Sequence, residues 1–158
     1  MMKYAQAVLV TFMLGACTAN VDLDCDAAET LSREWGEGLT AVVAEGEGEP
    51  RSVGSYSVRV YEARNGENDR DFFVTGLIFA RDGFLVDLDL VDIDGDQNPD
   101  LIVSFESAGS GSYLTAHAWR LLDNKLSSVA MVEGLAPGTD VTQALIAQVA
   151  SLNALEPE

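Results

Sequence analysis

Short apolar segments that alternate with polar residues, and that are separated by turn residues, limit most strongly how this chain can fold. Residues 84–91 alternate most regularly. The apolar residues on one predicted face of that segment are Phe84, Val86, Leu88 and Leu90. Asp82-Gly83 precedes the segment as a two-residue turn signal, and Asn65-Gly66 marks another hairpin loop. A period of two predicts strands that bury one face, and connections this short predict antiparallel pairing.

These patterns predict about seven strands and one helix. The predicted strands are residues 39–44, 53–61, 71–81, 84–91, 101–105, 113–122 and 126–132. A helix is predicted from residue 141 to about 155, capped by Thr139 or Asp140, because apolar residues recur there every three or four positions. The stripe consists of Val141, Leu145, Gln148, Val149, Leu152 and Leu155. The expected fold is mainly β, an antiparallel β-sandwich or open barrel of about seven strands with a C-terminal helix.

The first 16 residues are typical of a bacterial lipoprotein signal peptide. Lys3 precedes an apolar run that is too short to span a membrane. Residues 14–17, Leu-Gly-Ala-Cys, resemble a lipobox, in which the signal is cut before the cysteine. Cys17 would then carry several acyl chains, enough for stable anchoring. The alternative is an ordinary signal peptide that happens to contain Cys17.

The rest of the chain is divided into a tether and a folded domain. Residues 17–38 are interpreted as a tether that includes a short helix as one option, because Ala28, Leu31 and Trp35 fall near helical spacing. Residues 39–158 are the β-rich domain. The residue after the cysteine is Thr18 and not aspartate. In a Gram-negative bacterium this resembles the pattern that sorts lipoproteins to the outer membrane. The expected location is the cell envelope, anchored to the outer membrane and facing the periplasm.

The chain is strongly acidic, with 26 Asp and Glu against nine Lys and Arg and a formal net charge of −17. This charge argues against nucleic acid as a partner and against electrostatic docking on anionic lipid. It favours a basic partner, a divalent cation or simple solubility.

An acidic turn with aspartates at alternate positions precedes the predicted strand 101–105. Its carboxylates are those of Asp92, Asp94, Asp96 and Asp100. Hard cations bind six to eight oxygens, and alternating aspartates on a loop supply several of them. The spacing resembles the calcium loops of integrin-type FG-GAP repeats and does not fit an EF-hand. Calcium at these four residues is one interpretation, and a β-turn whose aspartates bind backbone amides is the other.

A loop of small residues follows the same strand and ends on an aromatic ring. Its last four residues are Ser110, Gly111, Ser112 and Tyr113. Small residues allow close approach to another surface, and the serine and tyrosine hydroxyls can donate and accept hydrogen bonds. The loop therefore suits insertion into a cleft lined with carboxylates. A flexible hairpin with a packed tyrosine is the alternative.

The sequence offers no constellation for catalysis. Its single histidine, His117, lies on a predicted strand, and no general base is evident beside Ser110. The carboxylates are scattered and no Cys/His metal set is present. We therefore expect that the protein is not an enzyme, has no catalytic residue and requires no cofactor, although bound Ca²⁺ is one option.

Residues 56–119 resemble the periplasmic inhibitors of invertebrate-type (i-type) lysozyme. The resemblance rests on the strand 56–61, on the acidic turn, and on the loop that ends at Tyr113. It implies that residues 39–158 form an inhibitor-like domain whose loop enters the lysozyme cleft. Carried over, Ser110 and Tyr113 would hydrogen-bond the catalytic carboxylates of the enzyme. Lysozymes are often basic, so an acidic inhibitor would also be steered to its target.

The resemblance makes lysozyme the expected protein partner of a lipid-anchored inhibitor. Members of that family are usually described as soluble, so a lipid anchor departs from the pattern. A homodimer is compatible with the sequence. The alternative function is a calcium-binding surface lipoprotein with an adhesion or binding role.

Overall fold

The computed structural model describes residues 28–64 and 70–154, and within them the chain forms eight strands and one helix. The strands are β1 (Thr30–Gly36), β2 (Leu39–Glu45), β3 (Val53–Glu62), β4 (Phe72–Asp82), β5 (Phe84–Val91), β6 (Asp100–Glu106), β7 (Leu114–Leu122) and β8 (Lys125–Leu135), and the helix is α1 (Val141–Asn153). All pairings are antiparallel, in a first sheet of order β1-β2-β3-β4 and a second sheet of order β5-β6-β7-β8. The predicted antiparallel β fold with a C-terminal helix is confirmed as a sandwich of two four-stranded sheets, and the described strands do not close into a barrel.

The two sheets enclose one hydrophobic core. Tyr56, Val58 and Val60 of β3 alternate into it, as the more apolar parity of that strand predicts. Leu101 and Trp119 meet them from the second sheet. This shared core makes the molecule a sandwich.

Helix α1 covers the outer face of the second sheet, as its apolar stripe predicts. Asp140 caps it, because its carboxylate accepts a hydrogen bond from the Gln143 amide at 3.0 Å. Leu145 and Val149 are buried in a second cluster together with small residues of β7. Strand β6 is therefore covered on both faces, which explains why residues 101–105 are uniformly apolar apart from one serine.

The prediction of a short helix as one option within residues 17–38 is wrong for residues 28–38, the part of that range that the structure describes. Residues 30–36 form β1, which pairs with β2. Leu31 and Trp35 are four residues apart, a spacing that fits one helix face and equally one strand face. Trp35 is buried, and its indole N–H donates to the Pro99 carbonyl at 2.9 Å.

The membrane-targeting predictions fall on residues that the structure does not describe. The signal peptide (1–16), Cys17 and the start of the tether all lie outside residues 28–64 and 70–154. Within those two ranges, no helix has both the length and the apolar character needed to cross a bilayer.

The regular alternation predicted for residues 84–91 is interrupted by a bulge. The register shifts between Leu85 and Asp87, so Leu85 and Leu88 are buried while Val86 is 45% exposed. An extra residue in one strand reverses the facing of every residue on one side of it.

A second bulge determines which way Phe73 faces in β4. The register of β3 and β4 shifts between Val60 and Tyr61, which places Phe73 opposite Tyr61. The two rings meet edge-on at 5.8 Å, and Phe73 is largely exposed instead of buried. Leu77 and Phe79, on the other side of the bulge, pack against the core.

Candidate functional site

The small-residue loop and the acidic turn lie at opposite ends of the sandwich. Both are connected to β6, the turn before Asp100 and the loop after Glu106. Seven residues of extended chain separate them by ~20 Å. The acidic turn therefore cannot support the loop by direct contact.

The loop spans residues 107–113 and is closed at its base by two hydrogen bonds. The Ser107 amide donates to the Tyr113 carbonyl at 2.8 Å, and the Tyr113 amide donates to the Ser107 hydroxyl at 3.1 Å. These bonds extend the β6–β7 ladder by one step beyond the Glu106–Leu114 pair. Ser107 was not predicted as a functional residue. The available signal was a hydroxyl residue placed directly after a strand, where such residues often bind nearby amides.

The loop presents Ser110 and Tyr113 to solvent, and Tyr113 is 52% exposed. The tyrosine ring lies over Gly111, since a Cβ at that position would come within 2.4 Å of it. Ser112 has a φ of +43°, which turns the chain just before the tyrosine. All four predicted loop residues are thus together, with two hydroxyl groups on one exposed tip.

A close backbone contact supports the base of the loop. Gly83, the connection between β4 and β5, has a φ of +97°. A Cβ on Gly83 would lie 2.1 Å from the carbonyl oxygen of Glu106, the residue before the loop. Only glycine allows this approach, so the Asp82-Gly83 turn signal also fixes where the loop begins.

A buried ion pair lies beneath the same end of the sandwich. Glu45 and Arg81 are both buried, with Oε1 and Nη1 3.8 Å apart. The Glu45 carboxylate accepts the Leu85 amide at 2.8 Å. Arg81 donates from Nε to the Ser55 carbonyl at 3.0 Å and from Nη2 to the Pro50 carbonyl at 3.2 Å.

This pair ties two connections together at the loop end, the one between β2 and β3 and the one between β4 and β5. Arg81 Nη1 also donates to the carbonyls of Arg51 and Gly83. The sequence does not reveal the network, because Glu45 lies directly before the Gly- and Glu-rich residues 46–49 and reads as part of an acidic loop. Its partner is 36 positions away, and no local pattern shows the pairing.

His117 is a core residue with two hydrogen-bond partners. The Tyr56 hydroxyl lies 2.8 Å from its Nδ1, and the Ser128 hydroxyl lies 3.0 Å from its Nε2. The Trp119 indole donates to the same Tyr56 oxygen at 3.2 Å. Burial lowers the pKa of His117 to about 4, which keeps the imidazole neutral near pH 7. The geometry agrees with a structural role on the strand.

The acidic turn is held together by its own backbone amides. Asp92 accepts hydrogen bonds from the amides of Gln97 at 2.9 Å and Gly95 at 2.7 Å. Asp96 accepts the amide of Asn98 at 2.8 Å. The amide of Gln97, assisted by that of Gly95, holds the pKa of the Asp92 carboxyl below its usual range. These contacts match the interpretation in which the aspartates of a β-turn bind backbone amides.

A guanidinium group occupies the remaining acceptors of the turn. Arg120 donates to both oxygens of Asp100 at 3.0 and 3.1 Å and to Asp94 at 2.6 Å. Asp96 Oδ2 lies 3.6 Å from it. Asp100, followed by Asp94, raises the pKa of the Arg120 guanidinium above its ordinary value.

The four-aspartate calcium site is not assembled. Oxygens of Asp92, Asp94 and Asp96 lie within 4.8 Å of one another, but Asp100 is not part of that group. Asp100 is 0% exposed and faces Arg120. A calcium ion would have to displace the Arg120 guanidinium and several backbone amides from these carboxylates. This arrangement therefore favours neither calcium binding nor the alternative function of a calcium-binding surface lipoprotein.

Comparison with known proteins identifies a family that matches most of this chain. The family model described as "Periplasmic lysozyme inhibitor of I-type lysozyme" matches residues 28–149. A search of curated proteins found no match.

Two solved structures are similar to this chain along most of their length. The structure of PliI-Ah, the periplasmic inhibitor of I-type lysozyme from Aeromonas hydrophila, has 47% identity and a TM-score of 0.68, and the match covers 74% of this chain and 98% of that one. The Aeromonas hydrophila PliI structure in complex with Meretrix lusoria lysozyme has the same identity and TM-score, with 74% and 94% covered. The chain belongs to the family of periplasmic inhibitors of I-type lysozyme, which are inhibitor proteins and not enzymes.

Proposed function

We propose that this protein inhibits I-type lysozyme by inserting the loop 107–113 into the active-site cleft of the enzyme. The observation that carries the proposal is the closed loop with the exposed hydroxyls of Ser110 and Tyr113 at its tip. A relative with 47% identity has been solved in complex with Meretrix lusoria lysozyme. That relative supports a protein partner of the same kind for this chain.

The proposed mechanism is occlusion of two catalytic carboxyl groups. Glycoside hydrolysis needs one carboxyl group as an acid and a second as a nucleophile or base, on the two sides of the scissile bond. The hydroxyls of Ser110 and Tyr113 donate hydrogen bonds to these groups while the loop excludes the sugar. Because hydrogen bonds to charged groups are worth roughly 1.5–3 kcal/mol each, two of them contribute substantially to affinity.

The rigid base of the loop contributes to affinity by lowering the entropic cost of binding. Ser107 and Tyr113 hold the two ends together, and the Gly83 contact fixes the strand that leads into the loop. A loop already held in its bound shape loses less conformational entropy on association. The net charge of −17 would steer the protein towards a basic enzyme.

We further propose that Cys17 carries a lipid that anchors the inhibitor to the outer membrane on its periplasmic side. The support is the sequence Leu-Gly-Ala-Cys at residues 14–17 after a short apolar run. Residues 18–27 would then serve as a spacer between the anchor and β1. An anchored inhibitor would be concentrated at the surface where lysozyme enters the periplasm.

The test of loop insertion is the double variant Ser110→Ala/Tyr113→Phe, which removes only the two hydroxyls. We expect its inhibition constant for Meretrix lusoria lysozyme to rise about a hundredfold or more, because two charge-assisted hydrogen bonds are lost. The matched control is Ser127→Ala/Tyr61→Phe, which removes the same two groups near the opposite end of the sandwich. Inhibition by the loop variant equal to that by the control and the wild type would show that the loop does not act in this way.

A further inference from the structure

A cavity of about 560 Å³ opens between the two sheets on the side of β4 and β8. The rings of Tyr56, Phe79 and Phe105 form its wall, and His117 lies among them. Its mouth is lined by Met131, Asp82 and Glu133. Large apolar walls with a few polar groups at the rim are typical of a binding pocket.

The cavity lies where part of β8 is left uncovered on its inner face. Met131 lies opposite His117 in the ladder, and Ser128 lies opposite Trp119, so both share the face of β7 that packs on the core. Even so, Met131 is 45% exposed and Ser128 is also exposed. The inner face of β8 is therefore uncovered at Ser128 and Met131, and an apolar surface is left accessible there.

The charges at the mouth favour a cation. Asp82 and Glu133 are exposed, and among the described residues neither carboxylate has a hydrogen bond or an ion pair. Arg81 also lines the cavity, but its buried guanidinium is paired with Glu45 and bound by backbone carbonyls. The net potential at the mouth is negative.

The pocket adjoins the base of the inhibitory loop. Phe105 and Thr115 line it and pair with each other in the β6–β7 ladder. The next pair along the ladder is Glu106 and Leu114, directly before the loop. A protein seated on the loop would therefore extend over the mouth of the pocket.

We propose that this pocket binds a lysine or arginine side chain of the lysozyme beside its active-site cleft. The aliphatic stem packs on the aromatic wall, and the charged end pairs with Asp82 and Glu133. The inference rests on the proposed function and adds to it a second recognition site, which selects among lysozymes by the residue next to the cleft. The loop blocks catalysis, while the pocket contributes affinity and specificity.

The experiment uses the double variant Asp82→Asn/Glu133→Gln in the full chain. We expect its inhibition constant for Meretrix lusoria lysozyme to rise about tenfold at low salt, because a charge pair next to an apolar contact is lost. The difference from wild type should shrink at high salt, since screening weakens the wild-type pair. The matched control is Glu37→Gln/Asp123→Asn, which removes two exposed carboxylates from turns at the opposite end of the sandwich.

A second variant tests the same pocket by volume. Met131→Trp places a larger ring at the mouth and should weaken inhibition while the melting temperature stays within the range of the control. Suppose that both pocket variants inhibit as well as the control and the wild type, while the loop variants do not inhibit. That result would overturn the proposed role of the pocket and leave loop insertion standing. A change of oligomeric state in the pocket variants, measured by sedimentation, would also overturn it, because the occupant would then be a second copy of this chain.

Discussion

At the scale of single residues, the loop depends on Gly111, which leaves space for the ring of Tyr113 to pack against the backbone. Tyr113 lies over Gly111, while a Cβ added to Gly109, two positions earlier, would meet no atom within 4 Å. The two glycines stand in one loop, yet only Gly111 contacts the group that we place in the enzyme cleft. Substitution of each by alanine therefore separates the position of the ring from general loop stiffness.

We expect Gly111→Ala to weaken inhibition about tenfold or more, because the new methyl group displaces the Tyr113 ring. Gly109→Ala should inhibit like the wild type. Melting temperatures of the two variants should agree within about 2 °C, since the loop tip is exposed and contributes little to the core. Equal inhibition by the two variants would show that the position of the ring over Gly111 is unimportant.

At the scale of elements, the acidic turn is a structural connection between β5 and β6. Arg120 reaches it from β7 and satisfies the buried carboxylate of Asp100. This arrangement holds the start of β6, the strand that carries the loop at its other end. A contact ~20 Å from the loop can thus matter for stability without touching the lysozyme.

Arg120→Gln should lower the free energy of unfolding by about 3 kcal/mol, because Asp100 is left buried without its partner. The double variant Asp100→Asn/Arg120→Gln removes both charges and should recover part of that loss. Chemical denaturation gives both values, and the inhibition constants of the folded variants should stay near wild type. A stability unchanged by Arg120→Gln would mean that water or another group compensates Asp100.

Elements that form through contacts between residues close in sequence could be predicted, and features that depend on residues far apart in sequence could not. Strand β3 and helix α1 follow local periodicity and agree with prediction. Strand β1 was missed because Leu31 and Trp35 fit two periods, and β5 contains a bulge that no local signal marks. The loop residues were predictable from composition and resemblance. Ser107 and the Glu45–Arg81 pair were not, since their partners are fixed only by the folded topology.

At the scale of the whole molecule, the proposed lipid anchor predicts that residues before β1 determine the location of the protein. Cys17→Ser should move the protein from the membrane fraction to the soluble periplasmic fraction and abolish labelling with radioactive palmitate, because it removes the sulfur that we propose as the site of acylation. Cys25→Ser is the matched control and should stay in the membrane fraction. Membrane association and labelling that persist in Cys17→Ser would exclude this cysteine as the anchor.

The coverage of β6 on both faces has a consequence for how the molecule opens. Among the described strands, β1, β4, β5 and β8 lie at sheet edges with a ladder partner on one side only, and they can fray locally. Amides of residues 101–105 lie between two neighbouring strands beneath both the core and the helix, so their hydrogen exchange requires unfolding of the whole domain. The loop leaves from the end of this strand and should keep its shape through the small openings that loosen the edges.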